Sequence, residues 1–337
     1  MRCINTNELT PGMVLSQKIV SNEGVKLLDK YTFLTKTQIH KLFNWGVDSL
    51  YIQDGVYSKV AFMEKYEEIV KAVQGIFESI QQSRRIPIME MRELAEQMIH
   101  PLTDKRGVLS CLYEVKSHSD YTFEHSVNVA ITTGVFSNWL HYGDIEQRNL
   151  IMAGLLHDIG KLNVPLQILD KPDKLLDSEF RIIKKHPGEG YNFLANLDEF
   201  SEGTKMGVWQ HHERMDGSGY PCGLKRTEIH EYAKIVAIAD IYDAMTSNRA
   251  YRHKLTPLTA MELIAEQMYD KLDASVCIPI LENMRIYFIG SNVLLSNGQK
   301  AKIIMITPNA WTKPMVRTNN GDFLDLRNEK ISVVEVI

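Results

Sequence analysis

The sequence predicts a mainly α-helical protein, with a small α+β unit before the helical body and a small all-β domain after it. Three observations carry this expectation. From about residue 58 to 285 apolar residues recur at helical spacing, and after about 286 the spacing changes to two. Before residue 57, short strand-like runs surround a single helical segment. Three units are therefore expected, at 1–57, 58–285 and 286–337.

In the first unit, residues 13–20 and 25–28 flank the turn-like Ser21-Asn22-Glu23-Gly24. A helix is expected over 35–45, closed by Gly46, and a strand over 48–52. Nothing there suggests catalysis, so it reads as a packing or regulatory cap. In the helical body, 62–82 carries Phe62, Tyr66, Ile69, Val70, Val73, Ile76 and Phe77 on one face, and 89–98 continues in the same style. Residues 122–140 read as a long amphipathic helix. Residues 146–157 are apolar on nearly every face, as expected of a central buried helix. Asp177 or Ser178 is expected to cap a helix reaching Lys185, and Pro187 to open the next. Helices follow over 202–212 and 232–246, separated by a Gly-rich loop, and Thr256-Pro257 starts a final pair. In the tail, 293–295, 302–306, 314–317 and 331–336 read as strands, with Asn297-Gly298 and Asn320-Gly321 as turns.

The 337 residues are 44% hydrophobic and 24% charged, which excludes a disordered or collagen-like chain. Cys3, Cys111, Cys222 and Cys277 are scattered without a CxxC pair, so a reducing, cytoplasmic setting is expected. No apolar run approaches the ~20 residues of a membrane helix, and the start MRCINTNELT lacks the apolar stretch of a signal peptide. No membrane partner is expected. A net charge of −4 gives no basic field for duplex nucleic acid. An anionic substrate must instead meet locally clustered Lys and Arg.

Six of the eleven histidines lie between 125 and 212. His141, just before Gly143, reads as a helix cap. His157-Asp158 ends the buried helix in Leu-Leu-His-Asp-Ile-Gly-Lys, where a carboxylate is costly unless paired or bound to metal. Gly160 stops that helix and turns Lys161 back towards the pair. Asp240 rides a second apolar helix, and His125 sits near the start of the amphipathic one, on the side of Val129 and Thr132. His186 and His211-His212 complete the set. Imidazole and carboxylate without thiolate suit Fe, Mn or Zn. Seven donors exceed the needs of one catalytic ion with open positions, whereas two ions sharing a carboxylate fit phosphoester hydrolysis. The Gly-rich loop 216–223 should line the site, with Tyr220 free to stack on a ligand and Cys222 as inert packing. Arg249 and Arg252, at i and i+3, suit a phosphate. Lys184-Lys185 reads as a solvated charge run.

Three motifs then stand together: His-Asp-Ile-Gly-Lys (157–161), His-His-Glu-Arg-Met-Asp-Gly-Ser-Gly-Tyr-Pro (211–221) and Ala-Asp-Ile-Tyr-Asp-Ala-Met-Thr-Ser-Asn-Arg-Ala-Tyr-Arg (239–252). Over roughly 110–270 the chain resembles the HD-GYP subgroup of the HD-domain metal-dependent phosphohydrolases, which hydrolyse cyclic di-GMP. The flanking units are more weakly similar to domains that accompany this subgroup. The resemblance implies an all-helical HD-type domain with His125, His157, Asp158, His186, His211, His212 and Asp240 as metal ligands. It makes Asp158 the bridge between ions and gives Lys161, Arg249 and Arg252 to substrate phosphate, with Arg252 where other members carry Lys. Tyr220 is the tyrosine of the signature loop.

Members with three metals have a Glu four residues before the first His; here that position is Tyr121, and the neighbouring Glu124 points elsewhere on a helix. Two divalent ions, Fe or Mn, are therefore expected. The implied reaction is in-line attack on cyclic di-GMP by a hydroxide bridging the ions, giving linear pGpG, GMP or both. A metal-bound water is one candidate for the general acid. The alternatives are another cyclic dinucleotide as substrate, or a binding scaffold with little turnover, although none of the seven ligand positions is lost. The Gly-Tyr-Pro loop could mediate contacts with cyclase-type protein partners.

Overall fold

The computed structural model describes residues 2–337 apart from 10–12, 22–25, 29–31, 33, 35, 54–58, 84, 100–106, 116–120, 170, 172 and 249–253. The chain opens with β1 (Arg2–Asn5), β2 (Val14–Leu15), β3 (Ile19–Val20), β4 (Lys26–Leu28), α1 (Lys36–Asn44) and β5 (Ser49–Gln53). β5 is the middle strand of an antiparallel sheet, between β1 and β2, while β3 pairs with β4. Ile4, Leu15, Leu34, Leu42, Leu50 and Ile52 form a core for this unit alone. Gly46 follows α1 with a φ of +68°, the left-handed stop expected of it. Asn22, Glu23 and Gly24 of the expected turn lie outside the described residues.

The helical body comprises α2 (Lys59–Ser83), α3 (Ile88–Met98), α4 (Val108–Glu114), α5 (Tyr121–Trp139), α6 (Asp144–Leu156), α7 (Leu166–Leu169), α8 (Asp177–Ile183), α9 (His186–Leu194), α10 (Glu202–Gln210), α11 (Glu231–Thr246), α12 (Pro257–Gln267) and α13 (Ala274–Phe288). α6 is buried as expected, through Leu150, Ile151, Met152, Leu155 and Leu156. Each large side chain contributes about 1.5–3 kcal/mol when removed from water, enough together to drive the polar end of α6 into the interior.

α5 departs from expectation. It is not amphipathic but buried on nearly every face, because most of its polar residues are small enough to pack between helices and several find partners there. Ser137 donates to the Gly134 carbonyl at 2.8 Å, and Asn128 accepts the Tyr66 hydroxyl at 2.8 Å. α8 also differs: Asp177 is its first residue rather than its cap, and Glu179 reaches back to accept the Leu176 amide at 2.7 Å. His141 follows α5 with a φ of +62°, as a C-terminal cap.

The tail is one antiparallel sheet of β6 (Asn292–Leu295), β7 (Lys300–Thr307), β8 (Ala310–Thr318), β9 (Phe323–Asp325) and β10 (Val333–Val336), in the order β10-β6-β7-β8-β9. Gly298 and Gly321 occupy the expected turns with φ of +81° and +95°. Val293, Leu295, Ala301, Ile303 and Val316 point to one face and join the same core as the helices. Thr312 on β8 donates to Glu262 on α12 at 3.1 Å. Among the described residues no helix is long and apolar enough to cross a membrane.

Candidate metal centre

α5 brings His125, the end of α6 brings His157 and Asp158, and the first residue of α9 is His186. His211 and His212 are the first two residues after α10, in the turn that ends it rather than within the helix, and Asp240 projects from the middle of α11. These side chains converge. The Nε2 atoms of His125 and His157 are 3.2 Å apart, and His125 Nε2 lies 3.2 Å from Asp240 and 3.6 Å from Asp158 Oδ2. On the other side, His186 Nε2 is 3.2 Å from both Asp158 Oδ1 and His211 Nε2. His212 Nδ1 is 4.0 Å from Asp240. Two donor groups result, His125–His157–Asp158 and Asp158–His186–His211–His212, with Asp158 in both.

Gly160 makes the approach of these segments possible. A Cβ there would lie 2.0 Å from the His186 carbonyl oxygen and 2.5 Å from the Gly190 amide nitrogen, so only glycine lets the turn after Asp158 press against α9. Lys161, in the 3-10 turn Ile159–Asn163, puts its Nζ 2.5 Å from Asp158 Oδ2.

The donor set fits cations. His157, His186 and His211 each direct Nδ1 at the carbonyl three residues earlier, on Gly154, Ile183 and Val208, at 2.7–2.8 Å. A neutral ring bonded this way carries its proton on Nδ1 and a lone pair on Nε2. The Nε2 atoms of His186 and His211 then face one another lone pair to lone pair. Asp158 Oδ1 is buried among them without a hydrogen-bond donor among the described residues. Burial together with the neighbouring His212 and His157 holds His211 well below the usual histidine range. Burial likewise lowers His212 to about 3, despite Asp240. Burial opposes ionisation of Asp158 and Asp240, but the surrounding imidazoles, and Lys161 beside Asp158, hold both well below the usual carboxylate range. Inward-facing lone pairs beside ionised carboxylates are what a divalent cation satisfies.

Several neighbours escaped the sequence reading. Asp243 accepts from His125 Nδ1 at 2.7 Å. Glu213 is buried and accepts the amides of Cys222 and Leu224 at 2.7 and 2.9 Å, fixing the signature loop. A Cβ on Gly219 would fall 2.5 Å from the His212 carbonyl oxygen, so the loop folds directly over the paired histidines. Tyr220 thereby lies on His212, with ring centroids 4.6 Å apart. Lys184 is not a solvated charge: it is half-buried, with Nζ over the rings of both Phe180 (4.8 Å) and Tyr220 (5.3 Å). Cys222 is exposed rather than packed, because the loop uses its amide and not its side chain. Glu124 is buried, and its charge, with that of Asp243, adds to burial in raising the Tyr66 hydroxyl. Tyr121 is the first residue of α5. Arg249 and Arg252 lie outside the described residues.

Residues 111–276, which carry this helical core and the histidine-carboxylate centre, match the HD domain family model. The chain's relatives agree with the HD-GYP subgroup. The cyclic di-GMP phosphodiesterase PA4108 of Pseudomonas aeruginosa is 32% identical over 233 residues, covering 69% of this chain and 56% of that protein. The 3'3'-cGAMP-specific phosphodiesterase 3 of Vibrio cholerae is 31% identical over 216 residues, 60% of this chain and 46% of that protein. The chain thus spans about half the length of the curated relatives it matches. Among solved structures, the fold is similar to that of Bd1817, an HDG"Y"P protein from Bdellovibrio bacteriovorus, with a TM-score of 0.55 at 16% identity, over 84% of this chain and 99% of that one.

Proposed function

We propose that the chain is a metal-dependent phosphodiesterase acting on cyclic di-GMP, with linear pGpG, GMP or both as product. The observation that carries this reading is Asp158, shared by two groups of inward-facing imidazoles with a lysine ammonium beside it. His125, His157 and Asp158, with Asp240 adjacent, would hold one ion; Asp158, His186, His211 and His212 would hold the other. Iron or manganese suits such nitrogen and oxygen donors. A divalent pair supplies a water of lowered pKa and neutralises charge at phosphorus.

The chain's own groups do the rest. Lys161, about a quarter exposed, is placed to leave Asp158 for a phosphate oxygen and stabilise the charge that develops there. Tyr220, backed by His212 and Lys184, offers a flat wall for a purine base. Arg249 and Arg252 are assigned to phosphate by the motif they complete. The relatives support a cyclic dinucleotide as substrate, and those specific for 3'3'-cGAMP favour that molecule as a second reading.

The test is turnover by the chain loaded anaerobically with Mn(II) or Fe(II), given cyclic di-GMP, 3'3'-cGAMP and pGpG in parallel. Cyclic di-GMP should show the highest kcat/KM. Faster cleavage of 3'3'-cGAMP would reassign the substrate. Tight binding of cyclic di-GMP without turnover with either metal would replace the enzyme by a scaffold.

A further inference from the structure

Three imidazoles of the centre take their orientation from a backbone carbonyl three residues earlier, but His125 takes its own from a carboxylate. Asp243 lies one turn beyond Asp240 on α11, is 4% exposed, and accepts from His125 Nδ1 at 2.7 Å through Oδ2. Its other oxygen accepts from the Ser247 hydroxyl at 2.8 Å, one further turn on. Asp240, Asp243 and Ser247 thus form a row on one side of α11, facing α5 where His125 emerges.

A carbonyl partner fixes the tautomer of a histidine. A carboxylate does the same and adds a full negative charge behind the ring, which makes Nε2 a stronger donor to a cation. Buried as it is, that charge is little screened by salt. It also acts on one side of the centre. In the group around His186 and His211, both rings rest on neutral carbonyls.

We infer that Asp243 is a positioning residue that sets the cation affinity of the His125–His157–Asp158 half of the centre and leaves the other half unchanged. The inference rests on the two-ion reading above. Asp243→Asn separates charge from shape. The Ser247 hydroxyl can accept from the new amide nitrogen, which keeps the amide oxygen turned to His125 Nδ1–H. The tautomer then persists and only the charge is lost.

The experiment is calorimetric titration of the chelator-stripped full chain with Mn(II), for the unmodified protein, Asp243→Asn and Ser247→Ala, with nitrogen NMR of the histidines before titration. The unmodified chain should show two binding events. In Asp243→Asn one event should weaken by about 10–100-fold, the usual cost of a lost outer-shell partner, with the other unchanged and His125 still protonated at Nδ1. Ser247→Ala, which leaves the carboxylate in place, should weaken the same event by less. Two unaltered events in Asp243→Asn would overturn the inference. Equal weakening of both would also overturn it, by reducing Asp243 to a structural role. An unmodified chain that takes up one ion or none overturns the two-ion reading, and this inference with it.

Discussion

His125 lies between two carboxylates, Asp240 at 3.2 Å from Nε2 and Asp243 at 2.7 Å from Nδ1. Burial disfavours a charge on the ring, but the two carboxylates outweigh it and raise His125 to about 9. Below that pH the ring holds protons on both nitrogens, and the one on Nε2 occupies the direction a cation needs. Metal uptake at neutral pH should therefore release about one proton per chain, and apparent affinity should rise about tenfold per pH unit up to about 9 before levelling. His211 and His212 are already neutral in that window and add nothing. Titrating metal in two buffers of different ionisation enthalpy measures the release; identical heats would show that His125 carries no displaceable proton. Asp158→Ala is the companion case. Because Asp158 belongs to both donor groups, its loss should remove both ions and all hydrolysis while the helical circular dichroism stays intact. Metal analysis that finds two ions still bound would end the bridging role. At this scale the sequence pointed to the proposed donors, through costly polar residues on apolar helices at His157-Asp158 and Asp240 and through the motifs that carry the other histidines. It could not reveal what aims them. A carbonyl has no residue type, and Asp243 stands 118 positions from His125. Glu213 was similarly hidden, because its partners are amides in a loop whose course nothing in the spacing betrays.

Elements matter here through how closely they meet. The turn after α6 lies against the start of α9, and the Cβ space at Gly160 is filled by backbone, which cannot swing aside as a side chain can. Gly160→Ala should push α9 away, carrying His186 from Asp158. We expect a lower melting temperature, from a cost of about 1–3 kcal/mol or more, together with reduced metal uptake. Gly188 on α9 is the control: nothing lies within 4 Å of its Cβ position, so Gly188→Ala should leave metal content unchanged and add about 0.5–1 kcal/mol of helix propensity. Equal metal uptake by both variants would show that α9 does not transmit the strain to the centre. The long helices were legible because their period repeats several times. β1 and β9, of four and three residues, were not, since so short an edge strand shows almost no alternation. The expected amphipathic face of α5 failed for another reason. Ser126, Asn128, Thr132 and Thr133 are all buried, because side chains this small fit between packed helices and α5 is enclosed by its neighbours.

Across the whole molecule, the two apolar cores divide the chain unevenly. The N-terminal strands and α1 enclose their own cluster, whereas the tail contributes Val293, Leu295, Ile303, Ile306, Trp311, Val316, Leu326 and Val336 to the core of the helices. The sequence suggested a separate tail from its change of period, which reports secondary structure and says nothing about which surface the sheet covers. α13 also runs on to Phe288, past the expected boundary, and buries it in that shared core. Deletion at the two ends should therefore have opposite outcomes. A chain of residues 58–337 should keep its helical circular dichroism, its metal content and its hydrolysis, because no donor of the centre and no part of its core is removed. A chain ending at residue 289 should not. Deleting those eight tail side chains leaves in water the helical surface they cover, at roughly 1.5–3 kcal/mol for each large helical side chain exposed, a sum that rivals the 5–15 kcal/mol by which a domain is ordinarily stable. That shortened chain should aggregate or melt at a far lower temperature, and lose metal as it unfolds, although every donor residue is still present. Size-exclusion chromatography, thermal melts and metal analysis on the two truncations decide the matter. If the chain ending at 289 is monomeric and retains its ions, the sheet is an appendage; if the chain beginning at 58 loses its ions, the N-terminal unit supports the centre in a way its separate core does not predict.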